Sequence, residues 1–415
     1  MGARSSQSRG PGINETDGHL LKYFRNTFTG GAGGTNAAAP PGSGHVATGG
    51  VISDYTDPGP GDVYRAHIFT SSGTFDITGL GDYGNTVEYL VVAGGGAGGG
   101  TSSAGGGRGG GGAGGLRTNV PGVQDAGGNP LTGAAFPVST TGGNGSGQYT
   151  VTVGAGGGAV NNSNGNKGTN SYFGPPSAPD GITSEGGGAG GYQLGSNLND
   201  GGSGGGDYSA GTPYVGLGNT PPTSPPQGNN SGQGSNEVAA GGGGAGAVGT
   251  DASGGIGGAG GAGVQVTIAG PAPTTTGVGA LNPGPGEYQW FAGGGGGAGS
   301  WNATPGVGAA GGVGGGGAGK GKPGYGNGDS GGTSTGGGGG GATGGGGSGY
   351  TGGSGGSGIV IVRYKMTELT ANAKATGGAI SFYDGMTIHT FTGAGDFDNT
   401  SGGSLSCDVV MVAGG

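Results

Sequence analysis

The chain has few of the residues that normally hold a protein of this length together. Only one of its 415 residues is cysteine, which excludes an internal disulfide framework. That residue, Cys407, precedes Asp408-Val409-Val410, and this strand-like context predicts a small buried apolar side chain. Apolar residues make up 29% of the sequence, too few for a conventional core of this size. Charged residues make up only 8%, which argues against an ordinary disordered chain.

The charge balance and the motifs also exclude several classes of function. A net charge of −9, with 13 scattered Lys and Arg residues, argues against nucleic-acid binding. The first fifteen residues are polar, which predicts no signal peptide, and no apolar run is long enough to predict membrane insertion. Gly314–Lys320 has phosphate-loop spacing, but Gly321 occupies the position that needs Ser or Thr. Scattered carboxylates and four histidines predict no enzyme, cofactor or metal site.

Glycine is what the chain has in abundance, with 130 residues. Runs such as Gly336–Gly341 break the Gly-X-Y period of collagen. Two interpretations remain. The tracts are either flexible linkers, or polyglycine-II-like strands that pack side by side because no Cβ atom separates their backbones. We expect the second, a lattice in which backbone hydrogen bonds replace a hydrophobic core.

Short strand-like segments border the glycine tracts. Val87–Ala93 leads into the first long tract, and Ile359–Tyr364 follows the last. Tyr149–Val153 and Val264–Ile268 lie between them and alternate apolar or aromatic with polar residues. The predicted fold is therefore mainly β with almost no helix, with frame strands bracketing a polyglycine-II-like lattice. The predicted domains are a leader at 1–46, a glycine-rich module at 47–364 (β frame 47–93, lattice 94–358, closing strand 359–364), and a linker with the start of a second, incomplete module at 365–415.

A tandem repeat supports that last boundary. Four phrases near the start recur in the same order near the end, at offsets of about 320 to 328 residues. The pairs are 47–53 with 375–381, 67–70 with 389–392, 73–76 with 395–398, and 90–95 with 410–415. We therefore expect the natural protein to continue beyond Gly415. His67 and His389 occupy equivalent positions, which predicts a structural role for both.

The most specific phrases carry a family resemblance. Tyr89–Gly96, Gly110–Arg117, Tyr149–Gly154 and Gly355–Tyr364 resemble the glycine-rich domains of bacteriophage tail-fibre and other virion proteins. The chain is also similar to phage adhesins of the polyglycine II sandwich type. The resemblance covers roughly residues 47–364 and implies a rigid, protease-resistant virion component. It transfers no binding residue, because the receptor loops of such adhesins differ between proteins.

The expected function is a non-enzymatic structural fibre component of a phage virion, a rigid spacer or display module anchored by its leader. The alternatives are a receptor-binding adhesin and a bacterial cell-surface matrix protein. Expected partners are other virion proteins, further copies of the chain (a trimer by family analogy) and a host glycan or outer-membrane protein. Candidate anchor residues are Leu20, Leu21, Tyr23, Phe24 and Phe28. Candidate receptor-loop aromatics, which are alternatively cores of the loops, are Tyr172, Phe173, Tyr192, Tyr208 and Tyr214.

Overall fold

The computed structural model describes residues 43–57, 61–102, 105–143, 145–175, 181–192, 198–208, 214–235, 237–345, 348–366, 372–383 and 386–412. Every regular element in these ranges is a β-strand, which confirms the prediction of a mainly β fold. No helix in these ranges is long and apolar enough to span a bilayer. The described residues from Gly44 onward belong to one compact unit.

The strands are short and separated by glycine tracts. They are β1 (Val46–Thr48), β2 (Val51–Thr56), β3 (Val63–Phe69), β4 (Gly73–Gly79), β5 (Thr86–Val92), β6 (Leu116–Thr118), β7 (Phe136–Pro137), β8 (Gln148–Thr152), β9 (Ser171–Gly174), β10 (Ile182–Ser184), β11 (Val264–Gln265), β12 (Ala280–Asn282), β13 (Glu287–Phe291), β14 (Ile359–Met366), β15 (Ala375–Thr376), β16 (Ala379–Tyr383), β17 (Met386–Thr390) and β18 (Asp398–Asn399).

The closing strand β14 lies at the centre of the frame. It pairs antiparallel with β3 on one edge and β5 on the other, so Val362 lies opposite both His67 and Tyr89. The resulting sheet has the order β2-β3-β14-β5-β6, with β7 also paired to β5. A second sheet has the order β1-β4-β8-β9-β10, and β11, β13 and β12 form a third. The predicted bracketing of the glycine tracts is thus a direct pairing of their first and last strands.

Both faces of β14 are buried along Ile359–Tyr364, a segment that begins with four consecutive apolar residues. Ile359 and Ile361 pack in one cluster, with Leu90, Val266, Ile268 and Phe291 among its members. Val360, Val362 and Tyr364 pack in the other, with Phe75, Phe136, Tyr149 and Phe173 among its members. These two clusters form the hydrophobic core, and it is confined to the β frame and the residues beside it.

Polar groups at the end of β14 are also buried and paired. Arg363 is 4% exposed, and its Nη1 donates to the Tyr55 hydroxyl at 2.6 Å and to the Thr267 carbonyl at 2.9 Å. Its Nε donates to the Glu88 carboxylate, and its Cζ lies 4.4 Å from the centre of the Tyr64 ring. A buried guanidinium with this many partners fixes the register of the closing strand.

The glycine tracts form an ordered lattice. Along 94–101, successive backbone N–H groups donate to three different neighbours in rotation. Residues 94, 97 and 100 donate to the segment 163–169, residues 95, 98 and 101 to 350–356, and residues 96 and 99 to 109–112. A threefold helix with no internal hydrogen bonds points its peptide groups in this three-residue rotation. The hydrogen-bonding pattern is therefore that of polyglycine II packing.

Interior tracts are bonded on all sides. Segment 108–115 donates to three neighbours (185–191, 240–243 and 336–342) and accepts from three others (93–99, 203–206 and 295–298). Segment 293–299 has the same pattern. Backbone groups thus satisfy one another without side chains, which explains how a chain with so few apolar residues forms a buried interior.

The lattice excludes side chains at most of its positions. A Cβ atom at Gly111 would lie 2.1 Å from the carbonyl oxygen of Gly96, and one at Gly295 would lie 2.1 Å from that of Gly339. The obstructing atoms belong to the backbone of hydrogen-bonded neighbours, so no side-chain rotation relieves the contact. Glycine is required here for close approach.

We predict that Gly111→Ala destabilises the protein by about 3 kcal/mol or more, because the added methyl group must push two tracts apart. Gly158→Ala is the matched control, because the nearest atom to its Cβ would be 3.7 Å away. The control should change stability by about 0.5 kcal/mol or less. Thermal unfolding and limited proteolysis with mass spectrometry measure both. Equal behaviour of the two variants would contradict the lattice packing.

His67 is a buried, neutral component of the frame. One ring nitrogen, Nδ1, lies 2.6 Å from the Gly49 carbonyl oxygen and must donate, since that oxygen only accepts. The other, Nε2, accepts from the Tyr364 hydroxyl at 3.1 Å. Burial is the main cause that lowers the pKa of His67 to about 4. The imidazole therefore links β3, the turn before β2 and the closing strand.

We predict that the free energy of unfolding falls as the pH drops from about 6.5 to 4. The unfolded chain binds a proton at His67 in this window and the folded chain does not, at a maximal cost of about 3 kcal/mol. His67→Asn retains an amide donor and should lose most of this dependence. A smaller part remains, because burial also lowers the pKa of His45. Parallel stability curves for both proteins, measured by chemical denaturation across the pH range, would refute the assignment.

Candidate functional site

The glycine tracts leave the β frame and end together at a surface that we call the far face. Hydrogen bonds connect the tract ends around this face. The donor and acceptor residues are Thr101 with Tyr350 (2.8 Å), Arg108 with Ala342 (3.1 Å), Ala298 with Arg108 (3.0 Å), Ala239 with Ala298 (3.1 Å) and Gly299 with Lys320 (2.9 Å). The chain reverses direction beyond these ends, for example through 158–164, 252–256, 301–305 and 321–325.

The proline-rich excursions, in contrast, lie on the frame side. The carbonyl of Gln227, which ends the excursion after Asn219, accepts from the N–H of Leu116 at the start of β6. The segment before the 270–286 excursion is bonded to β2, since the Tyr55 hydroxyl donates to the Ile268 carbonyl at 2.9 Å. The two ends of the lattice therefore differ, because the proline-rich excursions lie at the frame end.

Arg108 is the central charged residue of the far face. Its Cζ lies 4.2 Å from the ring centre of Tyr192 and 5.0 Å from that of Tyr208. Its Nη2 donates to the Gly105 carbonyl at 3.1 Å, and the residue is 5% exposed. Burial lowers the pKa of Arg108 from its usual value, and the nearby tyrosines oppose that shift. This cation–π arrangement holds two half-buried tyrosines at the surface.

A second aromatic group lies on the same face. Trp301 donates from Nε1 to Glu237 Oε2 at 3.1 Å, and Asn302 Nδ2 donates to the same oxygen at 3.1 Å. The Tyr325 hydroxyl donates to the Trp301 carbonyl at 3.0 Å. The Trp301 ring covers Gly105, where a Cβ atom would lie 2.6 Å from it. Half-buried Trp and Tyr rings held in place by polar neighbours are typical of recognition surfaces.

The structure separates the five candidate receptor-loop aromatics. Tyr192 and Tyr208 come together around Arg108. Phe173 is 0% exposed in the aromatic core, so its assignment to an exposed receptor loop is wrong. Tyr172 is its half-buried neighbour on β9, and its hydroxyl donates to the Pro175 carbonyl. The Tyr214 hydroxyl donates to Asp200 Oδ1 at 3.0 Å.

Sequence reasoning missed Arg108 and Glu237. A signal for Arg108 was present, because it is a lone charge between Gly105–Gly107 and Gly109–Gly112. The candidate anchor residues Leu20, Leu21, Tyr23, Phe24 and Phe28 lie outside the described residues. That assignment stays a prediction.

The phosphate-loop-like segment is part of the lattice. The N–H groups of Gly317, Gly319 and Lys320 donate to neighbouring tracts, so they do not form a phosphate cradle. The Lys320 ammonium lies 2.6 Å from Asp329 Oδ1. Across the described ranges, no three His, Cys, Asp or Glu side chains are placed to hold a metal ion.

A groove of about 440 Å³ lies on the frame side, between the 120–126 segment and β11. It is lined by Val120, Val123, Val264 and Trp290, among others. Its walls are mostly apolar, and Asp125 is the charged residue among them. The far face, with its aromatic and charged groups, remains the stronger candidate for recognition.

The glycine-rich lattice agrees with the family that the sequence resembles. No curated protein matches the chain. The sequence profile described as "Glycine-rich domain" matches residues 70–365, more than two thirds of the chain. The matched region begins directly after β3 and ends within β14, so it contains the whole lattice. The chain therefore belongs to the glycine-rich domain family.

Proposed function

We propose that this protein is a structural fibre component of a phage virion, a rigid display module whose far face is presented to the host surface. The observation that carries the proposal is the organisation of the lattice. Its tracts are tied to one another by backbone hydrogen bonds, and several of their reversals gather on the face opposite the β frame. Such a body is stiff, and its far face presents the loops of these reversals.

Rigidity favours a display role for a physical reason. A surface that is already ordered before contact loses little conformational entropy on binding. Arg108 and Trp301 fix their neighbours through the contacts described above, so the far face is preorganised. Tyr, Trp and Arg are also the residue types that contribute most to binding at protein interfaces. This favours direct host contact over the alternative of a plain spacer.

Two measurements test the proposal. Antibodies against the chain, used in immunogold electron microscopy, should label fibres on the particles that encode it. Purified chain added to host cells should compete with particle adsorption. Labelling of uninfected bacterial surfaces instead would support the matrix-protein alternative and contradict the fibre proposal.

We predict that the double variant Tyr208→Ala, Trp301→Ala competes with particle adsorption only at a concentration about tenfold higher or more. The matched control is Tyr83→Ala, since Tyr83 is 41% exposed and lies on the frame side beside Lys365. Unfolding temperature and protease resistance should stay near those of the unmodified chain in both. If labelling succeeds but the double variant competes fully, the far face has no recognition role and the spacer alternative stands.

A further inference from the structure

Two neighbouring tracts at one side of the lattice carry apolar side chains at a regular interval. Segments 256–263 and 306–313 are bonded to each other, because the N–H groups of residues 257, 260 and 263 donate to the carbonyls of residues 307, 310 and 313. In each tract, every third residue is apolar and exposed or half-buried. We call this set the apolar stripe, and its members are Ile256, Ala259, Ala262, Val307, Ala310 and Val313.

The positions between the stripe residues face the lattice and are mostly glycine. A Cβ atom at Gly257 would lie 2.2 Å from the carbonyl oxygen of Gly297, and one at Gly260 would lie 2.0 Å from that of Gly294. Stripe residues have room for larger side chains, since Ile256 is 46% exposed and Val307 is 45% exposed. The stripe is therefore the outward edge of the two tracts.

Edge tracts elsewhere in the lattice are closed by polar side chains. Ser354 Oγ accepts from the N–H of Ala159 at 3.1 Å, and Thr169 Oγ1 accepts from the N–H of Ala155 at 2.7 Å. These hydroxyls cap backbone donors that no neighbouring tract reaches. Such capping protects an edge against pairing with another chain.

The apolar stripe lacks such caps. The N–H groups of Val307, Ala310 and Val313, three residues apart, have no acceptor in the described part of the chain. Neither of its two tracts contains a charged residue. An exposed apolar edge with unpaired backbone donors is typical of a surface that another chain covers.

Charges of opposite sign border the two sides of the stripe. On one side, the Thr250 N–H donates to the Ala259 carbonyl at 2.9 Å, and the exposed Asp251 follows it. On the other side, the Lys322 N–H donates to the Gly306 carbonyl at 2.5 Å. The stripe thus has an acidic border and a basic border.

We propose that the apolar stripe is an interface with a second copy of this chain, related by a two-fold axis parallel to the tracts. In this arrangement the stripes of the two copies pack against each other. The acidic border of each copy then faces the basic border of the other, which fixes the orientation. The far faces of the two copies lie at the same end of the pair.

The spacing of the stripe favours a second copy over other protein surfaces. Three residues of a polyglycine II helix span about 9.3 Å, whereas one α-helical turn spans about 5.4 Å and two strand residues about 6.8 Å. Side chains of two rows interdigitate along their length only where the two repeats match. The same stripe on a second copy matches throughout, and a two-fold axis makes it self-complementary.

The experiment measures the oligomeric state of the full chain by sedimentation equilibrium. Cys407 is exposed, so the prediction that it is buried was wrong, and all samples carry Cys407→Ser to prevent disulfides between copies. We expect a dimer. Ala310→Asp should raise the dimer dissociation constant about tenfold or more, because it places an unpaired charge in an apolar interface.

The matched control is Ala159→Asp, which changes an exposed alanine on a capped edge. It should leave the dissociation constant unchanged, and both variants should keep the unfolding temperature of the parent chain. A monomeric parent chain, equal effects of the two aspartates, or an oligomer of any size that Ala310→Asp leaves intact would overturn the proposal.

Charge reversal tests the orientation of the two copies. Asp251→Lys and Lys322→Asp should each weaken the dimer, because each places like charges opposite one another. The double variant should restore the dimer, since opposite charges then face each other again. A double variant that associates no better than either single variant would contradict the two-fold arrangement.

Discussion

The close approach of unsubstituted backbones is the constraint on which this structure depends. Polyglycine segments hydrogen-bond to neighbours on every side only while no Cβ atom intervenes, and Gly111 and Gly295 show how little space is left. Ordering glycine costs more backbone entropy than ordering any other residue. The lattice offsets this cost because nearly every peptide group in an interior tract finds both a donor and an acceptor.

The β frame solves a different problem, which is the choice of one arrangement among many. Glycine tracts are alike, so a shift of one tract by three residues restores the same hydrogen bonds. The strands at their ends are not alike. Arg363 is buried and bonded to Tyr55 and Glu88, and Tyr364 reaches His67, so a shifted β14 would leave these groups unpaired. The frame therefore sets the register for the tracts attached to it.

The sequence predicted the strands of the frame better than it predicted which glycine tracts are neighbours in the lattice, for physical reasons. Val87–Ala93 and Ile359–Tyr364 carry apolar patterns that bordering glycines isolate, and both became strands. Val264–Ile268 alternates equally well, but the strand covers only Val264–Gln265, because the Gln289 side chain accepts from the N–H groups of Ile268 and Ala269. Which tract lies beside which is not encoded in side chains, since glycine has none. Phe173 was interpreted as a loop residue, but packing against Phe136 and Tyr149 places it in the core.

A body held together mainly by peptide hydrogen bonds has an unusual relation to temperature. Unfolding that exposes apolar surface raises the heat capacity, whereas exposure of polar groups lowers it. The interior tracts expose chiefly peptide groups when they separate, and only the two core clusters of the frame contribute strongly in the other direction. The heat-capacity change per residue is then small, so the stability curve is broad and flat. Cold would weaken the frame, whose cohesion is hydrophobic, before it weakens the lattice.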